Sequence, residues 1–388
     1  MEKMMLPTRE LRALRNEEIV AGTHVLMRVD FNIPWKERAD ELDDGGKRGR
    51  IAQAIPEIQR LVKQKAIVTL MTHWSDPHGK SDSALSTERL VPLLESRLKK
   101  KVTFLPAVYG DEVKSALSKA KPGSIFLLEN VRFWRAEEKD DDAFARAIAA
   151  PFTLFINNAF SVSHRAHASV HAITRHLPSY AGEGVREEIA RFAKPVKTPF
   201  VCMIGGAKIE TKVALIERLG AFADTLLLGG GVAIAVQLAK GDDVPGASGT
   251  FRRKEVLTAA RRVLHRFEGK ILLPTDVVAR PEEDRVLDIG PETQARYARV
   301  LADAKTVLWN GPFGIIEEEE GTKGTELLAK TLKKTKAEVF LGGGETVTFL
   351  EKEKLLSPTW NISTGGGAML ALLAGDRMPG LEPLWLET

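Results

Sequence analysis

Cysteine is almost absent from this sequence. A single residue, Cys202, occurs among 388 positions, which excludes an internal disulfide and a cysteine-built zinc site. It lies in the apolar run 199–206, so we expect an inert thiol in the core. The chain also lacks an apolar run of roughly 18 residues, the length of a membrane span, and a signal-peptide h-region. These absences predict a reduced, cytoplasmic protein that does not enter a membrane.

Excess charge of one sign is also missing. Lysine and arginine total 56 against 52 aspartates and glutamates, a net charge of +4, which does not suit a protein that coats nucleic acid. Hydrophobic residues make up 44%, enough for a sizeable core. At roughly 150 residues per domain, the length predicts two or three domains.

Several nucleotide and metal motifs do not occur. No GxGxxG follows an apolar strand, which disfavours a Rossmann dehydrogenase, and no HRD or DFG set indicates a protein kinase. The triplet 79–81 resembles the end of a Walker A loop, but Trp74 occupies the position of the required first glycine. The HExxH motif of many zinc sites is also absent, which disfavours a histidine-built zinc site.

What the sequence does contain is a regular alternation of short apolar runs and amphipathic helical patterns. The predicted strands are 25–31, 66–73, 102–105, 124–130, 153–160, 199–206, 225–231, 270–278, 306–312, 338–344 and 361–367. Near-continuous apolar strands between amphipathic helices indicate parallel sheets covered on both faces. Two such series predict two α/β domains, joined by a charged helix within 175–198.

The strands of the two halves end differently, and ligands bind beyond the carboxyl ends of parallel strands. In the first half the ends carry polar and basic groups, as in RVDFN, THWSDPHG, ENVRF and NNAFSVSHRAH. In the second half they carry glycine, as in IGGAK, LGGGVA, WNGPFG, LGGGET and STGGGA. The first half therefore suits a small anion, and the second suits a ligand that approaches bare backbone.

Two features of the glycine-rich half are candidates for phosphate chemistry. Lys208 and Lys212 are four residues apart at an expected helix start, so both could face one phosphate chain, or both could be solvated surface residues. Glu345 follows a glycine turn, where it could hold Mg²⁺ or simply favour the helix dipole. The run 317–324, EEEEGTKG, has the composition of a solvated acidic loop, and the basic helix 251–270 that of a solvated face.

The basic half places Arg50, Arg132 and Arg165 on three separate segments. Converging guanidinium groups bind carboxylate and phosphate bidentately, although each arginine taken singly fits an ordinary surface position. The HRAH sequence at 164–167 could equally be a helix-capping turn.

Taken together and in order, these motifs resemble those of the phosphoglycerate kinase family along nearly the whole chain. The matching segments are RVDFNIP (28–34), LLENVRF (127–133), HRAHAS (164–169), GGAKIETK (205–212), LLLGGG (226–231), DIGPET (288–293), WNGPFG (309–314), GGGET (342–346) and STGGGA (363–368). The resemblance implies two Rossmann-like three-layer α/β/α lobes with parallel sheets. The first would span 1–178 and receive the tail 369–388, the hinge helix would span 179–198, and the second lobe would span 199–368.

The resemblance also implies an activity: reversible phosphoryl transfer between 1,3-bisphosphoglycerate with ADP and 3-phosphoglycerate with MgATP, a step of glycolysis and gluconeogenesis. The hinge would close to bring the two substrates together. No general base is needed because the acceptor carboxylate is already ionised, which suits a site rich in arginine. A cytoplasmic monomer without nucleic-acid or membrane partners is expected.

Site residues follow from the matched motif positions. The implied phosphoglycerate ligands are Asp30, Phe31, Asn32, Arg50, His73, Trp74, Ser75, Asp76, Arg132 and Arg165. The implied nucleotide ligands are Gly206, Ala207, Lys212, Gly230, Asn310, Pro312, Glu317 at the ribose, Gly343, Gly344, Glu345 and Thr346. Arg50, Lys208 and Lys212 would stabilise the transferring phosphoryl group, and Glu345 would face the metal ion.

Some of these positions depart from the family pattern. Asp76 replaces a phosphate-binding arginine and Ser75 a glycine, at a cost on the order of 2–3 kcal/mol for the lost charge-assisted pair. Asp76 could instead turn away while His78 or Lys80 replaces the arginine. Asn158 and Ser161 replace an aspartate and a glycine. Glu345 replaces an aspartate, which lengthens the metal-facing side chain by one methylene.

Three interpretations therefore stay open. The favoured one is a working phosphoglycerate kinase with altered acceptor binding. The second is a related kinase that uses a different carboxylate acceptor, since the departures cluster in the acceptor lobe. The third is a nucleotide-binding paralogue with impaired catalysis, which the presence of Arg50, Lys208 and Lys212 disfavours.

Overall fold

Contacts divide the chain into two compact units. The computed structural model describes residues 9–34, 36, 42, 49–363 and 365–386. The first unit, here the N-unit, comprises Thr8–Ala190 and Arg377–Thr388, and the second, the C-unit, contains Arg191–Asp376. Relative to the sequence-based division at 178, 198 and 369, the N-unit extends through most of the predicted hinge helix. Residues 369–376 fall in the C-unit.

The N-unit is built on a six-stranded parallel sheet in the order β3-β4-β2-β1-β5-β6. Its strands are β1 (His24–Val29), β2 (Ile67–Met71), β3 (Thr103–Leu105), β4 (Ile125–Leu128), β5 (Leu154–Asn158) and β6 (Ser179–Ala181). Its helices are α1 (Arg50–Lys63), α2 (Val91–Leu98), α3 (Asp111–Ser118), α4 (Arg135–Glu138), α5 (Asp142–Ala149) and α6 (Glu183–Phe192), which crosses into the C-unit.

Alternate residues of β1 enter different hydrophobic cores, because successive side chains of a strand point to opposite faces. Val25, Met27 and Val29 join one cluster, whereas Leu26 joins another on the opposite face. The sheet is therefore the middle layer of three. Arg28 lies on the same face as Leu26 and is 1% exposed, a charged residue inside an otherwise apolar strand.

The C-unit repeats this plan. Its sheet is also six-stranded and parallel, in the order β14-β13-β12-β7-β8-β9, with an added antiparallel hairpin of β10 and β11. The strands are β7 (Phe200–Ile204), β8 (Thr225–Leu228), β9 (Ile271–Leu272), β10 (Val277–Arg280), β11 (Arg285–Ile289), β12 (Thr306–Asn310), β13 (Glu338–Gly342) and β14 (Asn361–Ile362). The helices are α7 (Val213–Gly220), α8 (Gly230–Lys240), α9 (Lys254–Phe267), α10 (Pro291–Asp303), α11 (Lys323–Lys334), α12 (Gly344–Lys352) and α13 (Gly366–Ala374).

The α/β fold with parallel sheets predicted from the sequence is confirmed. Two strands, β6 and β11, were not predicted, and the predicted strand 270–278 is two separate strands, β9 and β10. Cys202 is fully buried, and burial raises the pKa of its thiol far above the ordinary value, which confirms an inert core position. Among the described residues, none of the helices has the length and apolarity to cross a membrane.

Residues after the C-unit return to the N-unit. Gly380 N donates to Ser163 O at 2.9 Å, and its carbonyl accepts from Asn157 Nδ2 at 2.9 Å. Further along, Leu11 forms an antiparallel bridge with Trp385. The N-unit is thus assembled from two stretches of chain that are far apart in sequence.

Candidate active site

The first group of candidate residues lies at the carboxyl ends of β1, β2, β4 and β5, the edge of a parallel sheet where ligands bind. We call it the basic site. Its members follow β1 (Asp30, Phe31, Asn32), begin α1 (Arg50), follow β2 (His73, Trp74, Ser75, Asp76), and follow β4 (Arg132) and β5 (Arg165).

Asp30 organises the end of β1. Its Oδ2 lies 2.8 Å from Arg50 Nη1 and accepts a hydrogen bond from Ser161 Oγ at 2.5 Å. Its Oδ1 accepts from Asn32 N at 3.1 Å, and Arg50 Nη1 also donates to Asn32 O at 3.1 Å. Ser161, one of the departures from the family pattern, is therefore part of the support that holds this carboxylate beside Arg50.

Asn158, another departure, has a structural contact of its own. Its Oδ1 accepts a hydrogen bond from Gly184 N at 2.7 Å, close to the start of α6. An amide oxygen fills this acceptor role as a carboxylate would, so the substitution keeps the contact while removing a charge.

Phe31, His73 and Trp74 are almost inaccessible. Phe31 and Trp74 are 0% exposed and belong to the N-unit core, and the Trp74 indole donates to Ile33 O at 2.9 Å. Their side chains are therefore structural, and a ligand could contact only their backbone. His73 is 3% exposed, and burial together with Arg28, Arg132, Arg50 and Arg165 holds its pKa well below the usual range.

Asp76 faces the basic site rather than turning away from it. Its Oδ1 lies 3.9 Å from Arg132 Nη1 and 3.4 Å from His78 Nδ1. Arg132 also has the Glu138 carboxylate 3.9 Å from Nε and donates to Ser75 O at 3.0 Å. The idea that Asp76 points away from the site is thus wrong, because its carboxylate lies within ion-pair distance of the buried Arg132.

Beyond β5, the HRAH segment combines an exposed cation with buried rings. Arg165 is exposed, and His167 is 9% exposed, with Nδ1 at 3.8 Å from Glu137 Oε1. Burial, with Arg132 and Arg165 adding to it, lowers the pKa of His167 to about 4. The segment therefore carries an exposed arginine beside a buried, neutral imidazole, and the role of Arg165 as a ligand stays a prediction.

The second group of candidates surrounds a pocket of about 350 Å³ in the C-unit, here the glycine pocket. Its walls come from the ends of β7, β8 and β12 and from the β10–β11 hairpin. The predicted residues that line it are Gly206, Ala207, Gly230, Pro312, Glu317 and Glu345. Apolar side chains such as Ile234, Phe251 and Ile316 complete a cavity suited to a flat apolar ring.

Glycine is required here by close backbone approach. A Cβ on Gly205 would lie 2.1 Å from Pro312 O, and one on Gly231 would lie 2.2 Å from Ala207 O. Gly343 has φ +106°, a left-handed conformation that favours glycine, and precedes α12. At Gly205 and Gly231 the neighbouring backbone segments can therefore pack this closely only because glycine has no Cβ.

Lys212 and Lys208 do not share a helical face as the spacing predicted. A 3₁₀ turn at Ile209–Thr211 separates them, and Lys208 is exposed with extended backbone before α7 begins. Lys212 is partly buried, and its Nζ donates to Asn310 Oδ1 at 2.5 Å. Burial lowers the pKa of Lys212, while Glu345 raises it, so the two side chains are close enough to interact.

The start of α12 offers groups for a metal-bound phosphate. Glu345 is exposed at the edge of the glycine pocket, Gly344 beside it is also exposed, and Thr346 is fully buried. Thr346 Oγ1 is buried and has no hydrogen-bond partner among the described residues. Nowhere in the described ranges do three or more His, Cys, Asp or Glu cluster as a metal cage. A single carboxylate fits Mg²⁺ that arrives already bound to nucleotide phosphates.

The acidic run after Glu317 is not merely solvated. Glu318 forms ion pairs with Arg285 and, at 3.5 Å, with Arg280, while Glu320 lies 3.1 Å from Arg280. These arginines belong to the β10–β11 hairpin, so ion pairs join two walls of the glycine pocket. The sequence analysis did not predict these ion pairs because it did not predict strand β11.

Asp288, also missed, is a buried carboxylate at the pocket wall. It accepts from Gly324 N at 2.6 Å and Ile289 N at 2.8 Å. Burial, with Glu326 adding to it, raises the pKa of Asp288 to about 7. The sequence did hold a signal for it, since Asp288 is the first residue of the matched motif DIGPET (288–293).

Comparison with known proteins agrees with the sequence motifs. The phosphoglycerate kinase family profile matches residues 16–376. A phosphoglycerate kinase of Herpetosiphon aurantiacus is 37% identical over 387 residues, covering 94% of this chain and 96% of the relative. The chain belongs to the phosphoglycerate kinase family. It is therefore a member of a family of phosphotransferases with a carboxyl group as acceptor.

Solved phosphoglycerate kinase structures share the fold. The enzyme from Coxiella burnetii matches with a TM-score of 0.80 and 30% identity, covering 94% of this chain and 97% of that one. The enzyme from Pyrococcus horikoshii OT3 matches with a TM-score of 0.81 and 26% identity, covering 96% and 98%. The similarity to phosphoglycerate kinases thus extends over both units.

Proposed function

We propose that this phosphoglycerate kinase family member transfers a phosphoryl group reversibly between 1,3-bisphosphoglycerate with ADP and 3-phosphoglycerate with ATP, a step of glycolysis and gluconeogenesis. One observation carries the proposal. The arginines Arg50, Arg132 and Arg165 gather at the strand ends of one unit, and a glycine-walled pocket with Glu345 at its edge lies at the strand ends of the other. Each suits one of the two substrates.

In the basic site, Arg132 and Arg165 would bind the phosphate of the acceptor. Asp30 would accept a hydrogen bond from the acceptor's hydroxyl group, and Asn32 would donate one to it. Arg50, fixed 2.8 Å from Asp30, would be oriented toward the acceptor carboxylate. Ser75 and the backbone of Phe31 and Trp74 would complete the wall. A guanidinium held by a neighbouring carboxylate needs no reorganisation when substrate arrives.

In the glycine pocket, the apolar walls would take the base, Glu317 the ribose, and Gly206, Ala207 and the turn 343–346 the phosphates. Arg50, Lys208 and Lys212 would then stabilise charge on the equatorial oxygens during in-line transfer. The acceptor carboxylate attacks directly, so no residue needs to act as a base.

Glu345, exposed at the edge of the glycine pocket, would hold Mg²⁺ together with the nucleotide phosphates, and the turn 343–346 would bind those phosphates. When bound with nucleotide, the ion supplies positive charge that offsets phosphate repulsion. The extra methylene of Glu345 would place its carboxylate farther from the backbone than an aspartate would.

Because the two substrates bind to different units, transfer requires a hinge-bending closure that brings them together and excludes water. The near-balanced net charge of +4 supports the proposal that the protein does not bind nucleic acid. We further propose that it acts as a monomer in the cytoplasm, without a membrane partner.

A second candidate, a kinase with another carboxylate acceptor, is favoured by Asp76. Its carboxylate lies 3.9 Å from Arg132, where it would repel the phosphate of 3-phosphoglycerate. An acceptor without that phosphate would avoid the repulsion.

The test is a coupled steady-state assay with MgATP and varied 3-phosphoglycerate. We expect saturable turnover in the wild type and a loss of about a thousandfold or more in Arg50→Ala, because Arg50 offsets charge that develops in the transition state. Arg146→Ala, which removes a surface arginine paired with Asp142, is the matched control and should keep full activity. Wild-type protein without turnover on 3-phosphoglycerate would contradict the proposal and direct the assay to other acids.

A further inference from the structure

A chain of buried polar groups lies under the basic site, and most of its members are absent from the predicted ligand set. Arg28 Nε donates to Ser169 Oγ at 2.9 Å, and Arg28 Nη1 donates to Val29 O at 2.5 Å. Ser169 in turn donates from Oγ to Glu137 Oε1 at 2.6 Å and from its backbone N to Glu137 Oε2 at 2.8 Å. Arg28, Ser169 and Glu137 are all buried.

The far end of this chain reaches His73. Arg28 Nη2 lies 3.2 Å from His73 Nδ1. A guanidinium has only donors, so Nδ1 must accept and cannot carry a proton. A neutral imidazole with a bare Nδ1 carries its proton on Nε2, at the opposite side of the ring from Arg28.

Glu137 supplies the charge that makes this arrangement stable. Removing a buried arginine from water is costly unless a counter-charge and hydrogen bonds accompany it. Burial lowers the pKa of Arg28 to about 10, with Glu137 opposing the change, so the guanidinium stays charged at neutral pH. Burial raises the pKa of Glu137, opposed by Arg28 and by the hydrogen bonds from Ser169.

We propose that Glu137, Ser169 and Arg28 act as positioning residues that fix His73 as a neutral imidazole with its proton on Nε2, so that this N–H donates a hydrogen bond to the bound acceptor. The identity of the acceptor rests on the proposed function, whereas the tautomer follows from the contacts alone. His73 would then be a fixed donor and not an acid or base in the reaction.

The surroundings of His73 are consistent with a ring that stays neutral. The cations that act on His73 are Arg28 on β1, Arg50 on α1, Arg132 after β4 and Arg165 after β5. The nearby carboxylates, Asp30 after β1 and Glu137 on α4, act on Arg28, and His167 lies beside Glu137. Cations outnumber carboxylates in this set, so protonation of His73 would add a further positive charge to a cationic site.

The first test is NMR of the full chain with ¹⁵N-labelled histidine, with His73 assigned by the signals lost in His73→Gln. We expect a neutral Nε2–H pattern that does not titrate between about pH 5.5 and 8. An Nδ1–H pattern, or a titration near the ordinary histidine value, would overturn the inference whatever the activity of the protein.

The second test is Glu137→Gln, which keeps the shape of the side chain and removes its charge. We expect KM for 3-phosphoglycerate to rise about tenfold, the scale of one charge-assisted hydrogen bond. The KM for MgATP and kcat should change less than about twofold, and the single-tautomer signal of His73 should be lost.

Asp140→Asn is the matched control. It removes a carboxylate of the same unit that pairs with a different histidine, His171, at 2.6 Å. It should leave the acceptor KM and the His73 signal unchanged. If Glu137→Gln does not fold, Ser169→Ala interrupts the same chain with a smaller change. A fall in stability of either variant with unchanged acceptor KM and tautomer would show a purely structural role and refute the proposal.

These readouts separate the two claims. A wild type that shows the expected tautomer but no turnover on 3-phosphoglycerate would contradict the proposed acceptor and support the positioning of His73.

Discussion

Both units present their candidate site at the carboxyl ends of parallel strands, yet they do so by opposite means. The N-unit brings charged side chains together above a buried chain of hydrogen bonds that runs from Arg28 through Ser169 to Glu137. The C-unit has glycine at positions such as Gly205 and Gly231, where a Cβ would clash with the carbonyl oxygens of Pro312 and Ala207. One sheet edge is built for charge recognition, and the other for close contact with a large ligand.

The buried carboxylates of the two units illustrate the same difference. Glu137 has Arg28 as a counter-ion through Ser169, whereas Asp288 is held by two backbone N–H groups with Glu326 as a nearby like charge. In the N-unit, the negative charge of the buried carboxylate is therefore compensated by the positive charge of a buried arginine. In the C-unit, the buried carboxylate of Asp288 is accommodated by backbone hydrogen bonds and by a raised pKa.

The largest effect should come from refilling the C-unit wall. Gly231→Ala would place a Cβ 2.2 Å from Ala207 O and 2.9 Å from Phe251 Cε1. Overpacking of this kind costs about 1–3 kcal/mol, so KM for MgADP should rise by up to about 100-fold in steady-state assays. Gly269→Ala, where a Cβ meets nothing within 4 Å, is the control. An unchanged nucleotide KM in Gly231→Ala would break the comparison.

A smaller effect should follow from restoring a cation in the N-unit. Asp76→Arg removes the carboxylate 3.9 Å from Arg132 and adds a guanidinium at the same loop position. We expect KM for 3-phosphoglycerate to fall about tenfold in the coupled assay, because one charge-assisted pair is gained and a repulsion is lost. Asp82→Asn, a change at a cap of the same loop region, should leave it unchanged. No improvement would support the different-acceptor candidate.

The smallest change in activity should come from Asp288→Asn, whose effect is on the pH dependence of stability. The folded-state pKa of about 7 lies above the ordinary 3.8, so the folded state binds a proton more tightly than the unfolded state. The stabilisation is complete below the unfolded pKa and is lost as pH rises through about 7. Thermal unfolding should therefore show the wild type losing stability relative to Asp288→Asn between about pH 4 and 7, by roughly 2–4 °C for each kcal/mol. Parallel pH curves for the two proteins would show that Asp288 is not the titrating group.

Much of the architecture was predictable because the pattern of apolar residues determines it. The amphipathic segment that became α1 buries Ile51, Ala54, Ile58 and Leu61 on one face, as its spacing predicts. Strand β11 was missed because its residues are only partly apolar and it pairs locally with β10. Such a hairpin leaves no long apolar run to detect.

The motifs predicted a set of site residues, which stays a prediction, and they did not predict the contacts among those residues. Motif positions identified Arg50, Lys212 and Glu345, yet their spacing placed Lys208 on a helical face that a 3₁₀ turn interrupts. The support of His73 depends on Glu137, which is 64 positions away in sequence and enters only through tertiary packing. Long-range hydrogen bonds of this kind leave no local periodicity.

The return of residues 377–386 to the N-unit has a consequence for how the protein is made. Leu11, Asn157 and Ser163 find partners in this segment, which the ribosome adds only after the whole C-unit. At about 5–20 residues per second, the intervening stretch of roughly 190 residues takes on the order of 10–40 seconds to synthesise. During that interval the nascent N-unit exposes the surface that the segment later covers. The N-unit is therefore the first unit to be synthesised and the last to be completed.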